Sequence, residues 1–154
     1  MLKILFVCTA NVCRSPMAAG ILNRDLSARG LDSEFKAESA GIWGKGGLPV
    51  VPEVMKLMGE RGIDVSNHQS RIITEEIISE ANLILTMERS HKEAIYAEFP
   101  GKQLNLYLIS ELIGKKFNIE DPINKPYEVF TETADTLTYL ISNNLEKIKN
   151  LSSD

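Results

Sequence analysis

The sequence predicts one α/β domain, residues 1–154, built on a parallel sheet. Short apolar segments that suit buried strands alternate along the chain with segments whose apolar residues recur at helical spacing. The 154 residues are 44% apolar and 25% charged, which is the range of one ordinary globular domain. The chain contains no internal repeat and no low-complexity segment.

The first strand and the first helix follow directly from the pattern of side chains. Residues 3–7 form a run of branched and aromatic side chains, which suits a central strand buried on both faces. Pro16 suits the first turn of a helix, where its missing N–H is not needed. Apolar residues then recur at helical spacing until Gly30: Met17, Ile21, Leu22 and Leu26.

The remaining elements continue the alternation. Further strands are predicted over residues 35–40, 81–87 and 104–109. Further helices are predicted over residues 53–61, 90–99 and 126–151, and after Thr74. Thr74 is expected to cap its helix, because acidic Glu75 and Glu76 follow it in the first turn. The last helix has an apolar stripe along one side.

The bulk charge and hydropathy exclude several classes of protein. The formal net charge of -4 argues against a general affinity for nucleic acid or anionic membrane. No apolar stretch approaches the roughly 20 residues that span a bilayer. The first residues lack the length and cleavage pattern of a signal peptide. We therefore expect a cytoplasmic protein with no nucleic-acid or membrane partner, and we expect it to act as a monomer.

The only two cysteines, Cys8 and Cys13, are too few and too close together for a secreted disulfide framework. A zinc site that joined them to His68 and His91 is not expected, because the histidines lie too far apart in sequence for a usual ligand pair. We therefore expect no metal and no cofactor, and a local role for the cysteines.

A phosphate site is predicted where the first strand gives way to its helix, at residues 8–15. A tight loop that runs into a helix N-terminus supplies several N–H donors and a favourable dipole for a tetrahedral dianion. The same surroundings favour a thiolate at Cys8, and Arg14 is placed to bind two phosphate oxygens at once. The alternative is an inert strand-end cysteine followed by a surface arginine. The spacing of cysteine, five residues, arginine and a hydroxyl residue favours the functional interpretation.

The segment from Val7 to Pro16, Val-Cys-Thr-Ala-Asn-Val-Cys-Arg-Ser-Pro, resembles the signature loop of the low-molecular-weight protein tyrosine phosphatases. The resemblance covers nearly the whole chain, because it continues through residues 39–41, 62–64 and 66–71 and through Asp121-Pro122. It implies the three-layer fold named phosphotyrosine phosphatase I-like, with a four-stranded parallel sheet flanked by helices on both faces.

The resemblance also implies a mechanism for phosphorylated protein or peptide substrates. Cys8 attacks phosphorus to form a cysteinyl-phosphate, which water hydrolyses, and Asp121 protonates the leaving group. Ser15 is expected to donate its hydroxyl to the Cys8 sulfur. Arg14 holds the phosphate oxygens together with the rest of the loop, which comprises Thr9, Ala10, Asn11, Val12 and Cys13. Phosphate-like oxyanions should therefore inhibit the enzyme.

Three further expectations concern the loop itself. In the family, the side chain at the Asn11 position belongs to a network with a histidine and a serine, which correspond here to His68 and Ser39. Ala10 stands where the family usually has glycine, so it would be strained if that position requires positive φ. Cys13 corresponds to a second cysteine that can form a reversible disulfide with the nucleophile. The alternative for Cys13 is a small apolar filler of the loop.

Substrate choice is expected to depend on side chains around the loop. Trp43 corresponds to a wall of the substrate cleft and suits a phosphotyrosine ring, although burial against a neighbouring loop explains a single tryptophan equally well. Ile123 replaces an aromatic residue that often forms the opposite wall. A related branch that hydrolyses phosphoarginine tends to carry a hydroxyl residue at the position of Val12. The apolar Val12 therefore favours phosphotyrosine.

The alternatives to a tyrosine phosphatase stay open to different degrees. A protein-arginine phosphatase of the same fold is the nearest. A non-catalytic phosphate-binding or phosphoryl-carrier module is more distant, and it would not need an acid at Asp121. An arsenate reductase of the same fold needs cysteines downstream of Cys13, and the chain has none.

Overall fold

A computed structural model describes residues 1–154 and contains a four-stranded parallel sheet with strand order β2-β1-β3-β4. The strands are β1 (Leu2–Cys8), β2 (Phe35–Gly41), β3 (Leu83–Thr86) and β4 (Leu106–Leu108). The helices are α1 (Arg14–Ala28), α2 (Pro52–Glu60), α3 (Glu75–Glu80), α4 (Arg89–Glu98), α5 (Tyr127–Ser142) and α6 (Leu145–Ser152), with a 3₁₀ helix at Ile109–Ile113. The predicted fold class is confirmed.

The helices cover both faces of the sheet and form two cores. Alternate side chains of β1 point to opposite faces, so Phe6 and Cys8 pack with α1, α2, α5 and α6, whereas Leu5 and Val7 pack with α3 and α4. The larger core lies on the first of these faces. Cys8 therefore ends a strand that is buried on both sides, at the carboxyl edge of the sheet. None of the helices combines the length and apolar character needed to cross a membrane.

The prediction of one final helix over 126–151 is wrong, because the chain breaks at two consecutive asparagines. Helix α5 ends at Ser142, and Asn143 and Asn144 precede α6. Asparagine competes for backbone hydrogen bonds, and the Asn144 side chain donates to the Leu140 carbonyl at 2.8 Å. The break turns Leu145 and the rest of α6 onto the larger core.

Other boundaries differ by a few residues. The strands predicted over 81–87 and 104–109 are shorter, at Leu83–Thr86 and Leu106–Leu108, and Ile109 begins the 3₁₀ helix instead of ending β4. The cap predicted at Thr74 is confirmed, because its hydroxyl accepts the Ile77 N–H at 3.2 Å. Such a cap typically stabilises a helix by about 1 kcal/mol.

The outer edge of β2 is covered by side chains and by a neighbouring loop. Asn23 of α1 accepts from the Ala37 N–H at 2.9 Å and donates to the Ala37 carbonyl at 3.0 Å. Arg71 donates through Nε to the Ser39 carbonyl at 2.9 Å, and its own carbonyl accepts the Gly41 N–H at 2.8 Å. The polar groups of this edge are therefore largely paired with the protein itself.

Candidate active site

The loop between β1 and α1 carries a row of free amide donors. Within the protein, no backbone N–H of residues 9–15 donates a hydrogen bond, whereas N–H groups of the neighbouring segments do. The loop ends at the N-terminus of α1, where the helix dipole favours negative charge. A row of unpaired amides at such a position can bind the oxygens of a tetrahedral oxyanion.

The loop turns through a left-handed residue at Asn11, which has a φ of 60°. Ala10 does not have positive φ, so the strain considered for alanine at this position does not arise. Asparagine tolerates the left-handed region better than most residues. The unusual backbone conformation therefore falls on a residue that suits it.

Three contacts hold the buried Asn11 in place. Its Oδ1 accepts the Arg71 backbone N–H at 2.9 Å, its Nδ2 donates to Ser15 Oγ at 2.8 Å, and its carbonyl is 2.7 Å from His68 Nε2. The Ser39 hydroxyl does not join this network, because Ser39 contributes only its carbonyl, to the Arg71 side chain. Arg71 therefore links Asn11 to β2 through the Ser39 carbonyl, whereas the family resemblance implied Ser39 itself in the Asn11 network.

The Asn11 contacts determine where the Ser15 proton points. The Arg71 N–H can donate only to an oxygen, so the Asn11 amide orientation is fixed and its NH₂ group faces Ser15. Ser15 Oγ thus accepts from Asn11 and has its own hydrogen free. Cys8 Sγ lies 3.0 Å from Ser15 Oγ, whereas the other acceptor, the Ala40 carbonyl, is 3.5 Å away. The hydroxyl is therefore placed to donate to the Cys8 sulfur.

Arg14 is a buried cation held by several partners, with a side chain only 2% exposed. Its Nη1 donates to Glu88 Oε2 at 2.5 Å and to the Ile119 carbonyl at 2.6 Å, which fixes one edge of the guanidinium. Its Nη2 lies 3.3 Å from Thr9 Oγ1 and 3.8 Å from Asp121 Oδ2. Truncation of Glu88 would leave a buried charge without its main partner, a change that typically costs about 3–5 kcal/mol.

Asp121 lies beside the free edge of Arg14 on the loop that precedes α5. Its Oδ1 accepts the Ile123 N–H at 3.0 Å, which forms a local turn, and its Oδ2 faces Arg14. The side chain is 42% exposed, so the carboxyl is open to solvent. The structure thus brings Cys8, Arg14 and Asp121 together from two distant parts of the chain.

Sequence reasoning missed two residues of this site, Glu88 and His91. Both lie just beyond β3, at the same edge of the sheet as Cys8. His91 is 3% exposed, and its Nε2 is 2.9 Å from Thr9 Oγ1. The position of Glu88 after an apolar strand was an available signal, because functional groups collect at the carboxyl ends of parallel strands.

Comparison with known proteins supports a phosphatase. Residues 3–153 match the family described as low molecular weight phosphotyrosine protein phosphatase. The chain belongs to this family. It is 34% identical over 134 residues to a probable low molecular weight protein-tyrosine-phosphatase, EpsP, of Ralstonia nicotianae, which covers 87% of each chain. It is 33% identical over 149 residues to a protein-arginine-phosphatase of Geobacillus stearothermophilus, which covers 96% of each chain.

A solved structure from the same family also resembles this chain. A low molecular weight protein tyrosine phosphatase from T. tengcongensis superposes with a TM-score of 0.89 at 39% identity, covering 96% of this chain and 99% of that one. Family membership makes the chain a protein phosphatase, a hydrolase with phosphorylated protein substrates, and it confirms the resemblance stated from the sequence.

Two other residues of this family member lie beside the loop, Gly41 and Trp43. Trp43 is 68% exposed, and its segment is tied to the loop by the Trp43 N–H, which donates to the Thr9 carbonyl at 3.1 Å. Gly41 precedes this segment, and a Cβ there would come within 2.8 Å of the Thr9 carbonyl oxygen. Glycine is therefore needed where β2 passes the loop, and the Trp43 indole projects into solvent beside it.

The buried His91 should make this phosphatase less stable in acid. Burial, reinforced by the positive charge of Arg14, lowers the pKa of His91 from 6.5 to about 4, although Glu88 and Asp121 oppose the shift. Between about pH 6.5 and pH 4 the unfolded chain binds a proton at this position that the folded chain does not. The free energy of unfolding should therefore fall by up to about 3 kcal/mol as pH decreases through this window.

Urea denaturation of the wild type and of His91→Asn at pH 7 and pH 4.5 measures this contribution. Carboxylates titrate in both proteins. The difference between the two proteins in how much unfolding free energy is lost from pH 7 to pH 4.5 therefore gives the contribution of the imidazole. The variant should lose less stability on acidification. An equal loss of unfolding free energy in the two proteins would contradict the expectation.

Proposed function

We propose that the chain hydrolyses phosphotyrosine on proteins through a cysteinyl-phosphate intermediate. The observation that carries this proposal is the row of unpaired N–H groups at residues 9–15, together with the contact between Ser15 and the Cys8 sulfur. A phosphoryl group seated on these amides would lie against Cys8. Arg14, whose Nη2 keeps one N–H for a phosphate oxygen beside its contact with Thr9, would share the charge of the transition state.

The reaction proceeds in two displacements at phosphorus. The Cys8 thiolate forms a bond to phosphorus while the bond to the tyrosine oxygen breaks, and the Asp121 carboxyl gives its proton to that oxygen. The Asp121 carboxylate then takes a proton from water, which attacks the cysteinyl-phosphate and releases inorganic phosphate. Ser15 donates to the departing sulfur in this second step. The 42% exposure of Asp121 supports its part in both steps.

The surroundings of the loop favour a phenyl ring over a guanidinium. Val12 presents an apolar side chain in the loop and offers no hydroxyl to a phosphoarginine. The exposed Trp43 beside Thr9 provides a flat surface on which a phosphotyrosine ring can stack. One observation favours the protein-arginine phosphatase: Ile123, which follows the acid in place of an aromatic residue, removes the second wall of the cleft.

A comparison of two peptides tests the substrate. Phosphotyrosine and phosphoarginine peptides with identical flanking residues are assayed for kcat/KM, and we expect a preference of about tenfold or more for phosphotyrosine. Trp43→Ala should reduce this preference, whereas Tyr139→Ala, which removes a 58% exposed aromatic of α5, should not. A preference for phosphoarginine would reassign the substrate and leave the thiolate mechanism in place.

We also propose that Cys13 protects the nucleophile from oxidation. Cys13 is buried, and burial together with the nearby Asp121 raises the pKa of its thiol, so it is not a second nucleophile toward phosphate. Peroxide would convert Cys8 to a sulfenic acid, and the Cys13 thiol would condense with it to form a disulfide and release water. Both cysteines belong to the same core cluster.

Peroxide treatment followed by dithiothreitol tests this protection. Wild-type activity should be recovered nearly completely, whereas Cys13→Ser should stay largely inactive, because its sulfenic acid is oxidised further. Ser79→Ala, a change at an exposed serine of α3, serves as the control and should recover like the wild type. Equal recovery in Cys13→Ser would contradict a protective disulfide.

The remaining parts of the proposal follow from the same chemistry. A thiolate enzyme with a second thiol nearby suits a reducing compartment such as the cytoplasm. Residues 1–154 would act as one phosphatase domain and as a monomer, without metal or cofactor. Phosphate and similar oxyanions would compete with substrate for the amides of the loop.

A further inference from the structure

We propose that His91 is a positioning residue that orients the Thr9 hydroxyl and, through it, the phosphate-binding edge of Arg14. The inference rests on the proposed function and concerns the same site. His91 lies at the start of α4, 82 residues from Thr9 in sequence, and its ring is almost completely buried. The mechanism proposed above gives His91 no role, although its buried ring contacts the Thr9 hydroxyl.

The contacts of His91 leave only one tautomer. Its Nδ1 lies 3.1 Å from the Glu88 backbone nitrogen, which can only donate, so Nδ1 must be an acceptor and carry no hydrogen. The hydrogen of the neutral ring is then on Nε2. That atom faces Thr9 Oγ1 at 2.9 Å, so His91 donates to the Thr9 hydroxyl.

Thr9 receives a second hydrogen bond from Arg14. Arg14 Nη2 lies 3.3 Å from Thr9 Oγ1, and a guanidinium can only donate. The two acceptor positions of the hydroxyl are therefore taken by His91 and Arg14. The Thr9 hydrogen has no acceptor in the protein, so it is free to donate to an oxyanion bound beside Arg14.

His91 completes the support of the guanidinium. Glu88 and the Ile119 carbonyl fix Nη1, and Thr9 is the one protein group that accepts a hydrogen bond from Nη2. Without His91, the Thr9 hydroxyl would be free to rotate and to turn its hydrogen toward Arg14. The neutral ring also adds no second positive charge next to Arg14 and leaves Glu88 to pair with the arginine.

Two substitutions of His91 separate positioning from folding. Asparagine keeps an acceptor near Nδ1 for the Glu88 N–H, and so keeps the start of α4, but it is too short to reach Thr9. Glutamine places its NH₂ group close to the original Nε2 and can still donate to Thr9. The pair thus differs in the contact that the proposal requires.

The experiment measures phosphate affinity by calorimetry and KM and kcat with p-nitrophenyl phosphate. We expect His91→Asn to bind phosphate about threefold to tenfold more weakly, the range for loss of one hydrogen bond, and to raise KM by a similar factor. His91→Gln should restore much of the affinity. Melting temperatures show whether each variant is folded.

A double-mutant cycle with Thr9→Val decides whether His91 acts through Thr9. In the Thr9→Val background, His91→Asn should have little further effect on phosphate affinity. A full effect in that background, or unchanged affinity in His91→Asn alone, would overturn the inference and leave the proposed phosphatase function intact. A wild-type chain that neither binds phosphate nor hydrolyses p-nitrophenyl phosphate would overturn both.

Discussion

Replacement of Cys8 with serine is expected to reduce turnover of p-nitrophenyl phosphate by at least about a thousandfold. A serine hydroxyl in the same position is a much weaker nucleophile than a thiolate, and the Ser15 hydroxyl, which can only donate to it, does not take its proton. The loop amides and Arg14 are unchanged, so phosphate should bind at least as tightly. Calorimetry with phosphate measures binding, and steady-state assays measure turnover.

Cys13→Ser is the matched control for this prediction. Cys13 is equally buried and lies in the same loop, but the raised pKa of its thiol keeps it protonated. The control should retain most of the activity. In wild-type protein that is quenched during turnover, mass spectrometry should find one phosphoryl group on the peptide that contains Cys8. Comparable activity in Cys8→Ser and Cys13→Ser would contradict the assigned nucleophile.

Asp121→Asn is expected to reduce turnover by about a hundredfold to ten-thousandfold, the usual contribution of a general acid. Asparagine retains an oxygen that can accept the Ile123 N–H, so the local turn should persist. Substrates with weakly acidic leaving groups should be affected most, because they depend most on protonation. Removal of a negative charge 3.8 Å from Arg14 should leave phosphate binding intact or strengthen it.

Glu120→Gln provides the control for Asp121→Asn. Glu120 is the adjacent carboxylate, 82% exposed, and it pairs only with Lys125 at 3.8 Å. Its replacement removes the same charge from the same loop but no proton donor, so turnover should change little. Equal turnover in Asp121→Asn and Glu120→Gln would contradict the role of Asp121 as general acid and would favour a non-catalytic phosphate carrier.

The loop could be predicted because its parts are close in sequence. Cys8, Arg14 and Ser15 lie within eight residues, and the strand before them and Pro16 after them place the loop at a helix N-terminus. The alternation of strands and helices was likewise sufficient for the parallel sheet, since parallel strands need crossover connections. Local pattern therefore predicted both the fold class and the core of the site.

The supports of Arg14 could not be predicted in the same way. Glu88 reaches Arg14 across 74 residues, and His91 reaches Thr9 across 82, so their contacts exist only after β3 pairs with β1. Arg71 similarly replaced Ser39 as the link to Asn11 because the loop at residue 71 lies along β2. Such contacts follow from strand register, which a single sequence does not display.

The break between α5 and α6 shows a different limit. The apolar residues keep their helical spacing on both sides of Asn143 and Asn144, so periodicity alone favours one helix. The two asparagines were a local signal against it, but helix propensities differ by less than about 1 kcal/mol per residue and are easily outweighed by packing. The burial of Leu145 and Ile148 on the sheet decides the outcome.

The pairing of Ala37 with Asn23 bears on how these molecules behave when crowded together. An open sheet margin is a template on which a second polypeptide can dock its own backbone and so begin a growing aggregate. Here the Asn23 side chain and the loop at Arg71 already form hydrogen bonds with the outward-facing backbone groups of Ala37 and Ser39. Intermolecular strand addition is thereby discouraged on the side of the sheet nearest the phosphate loop.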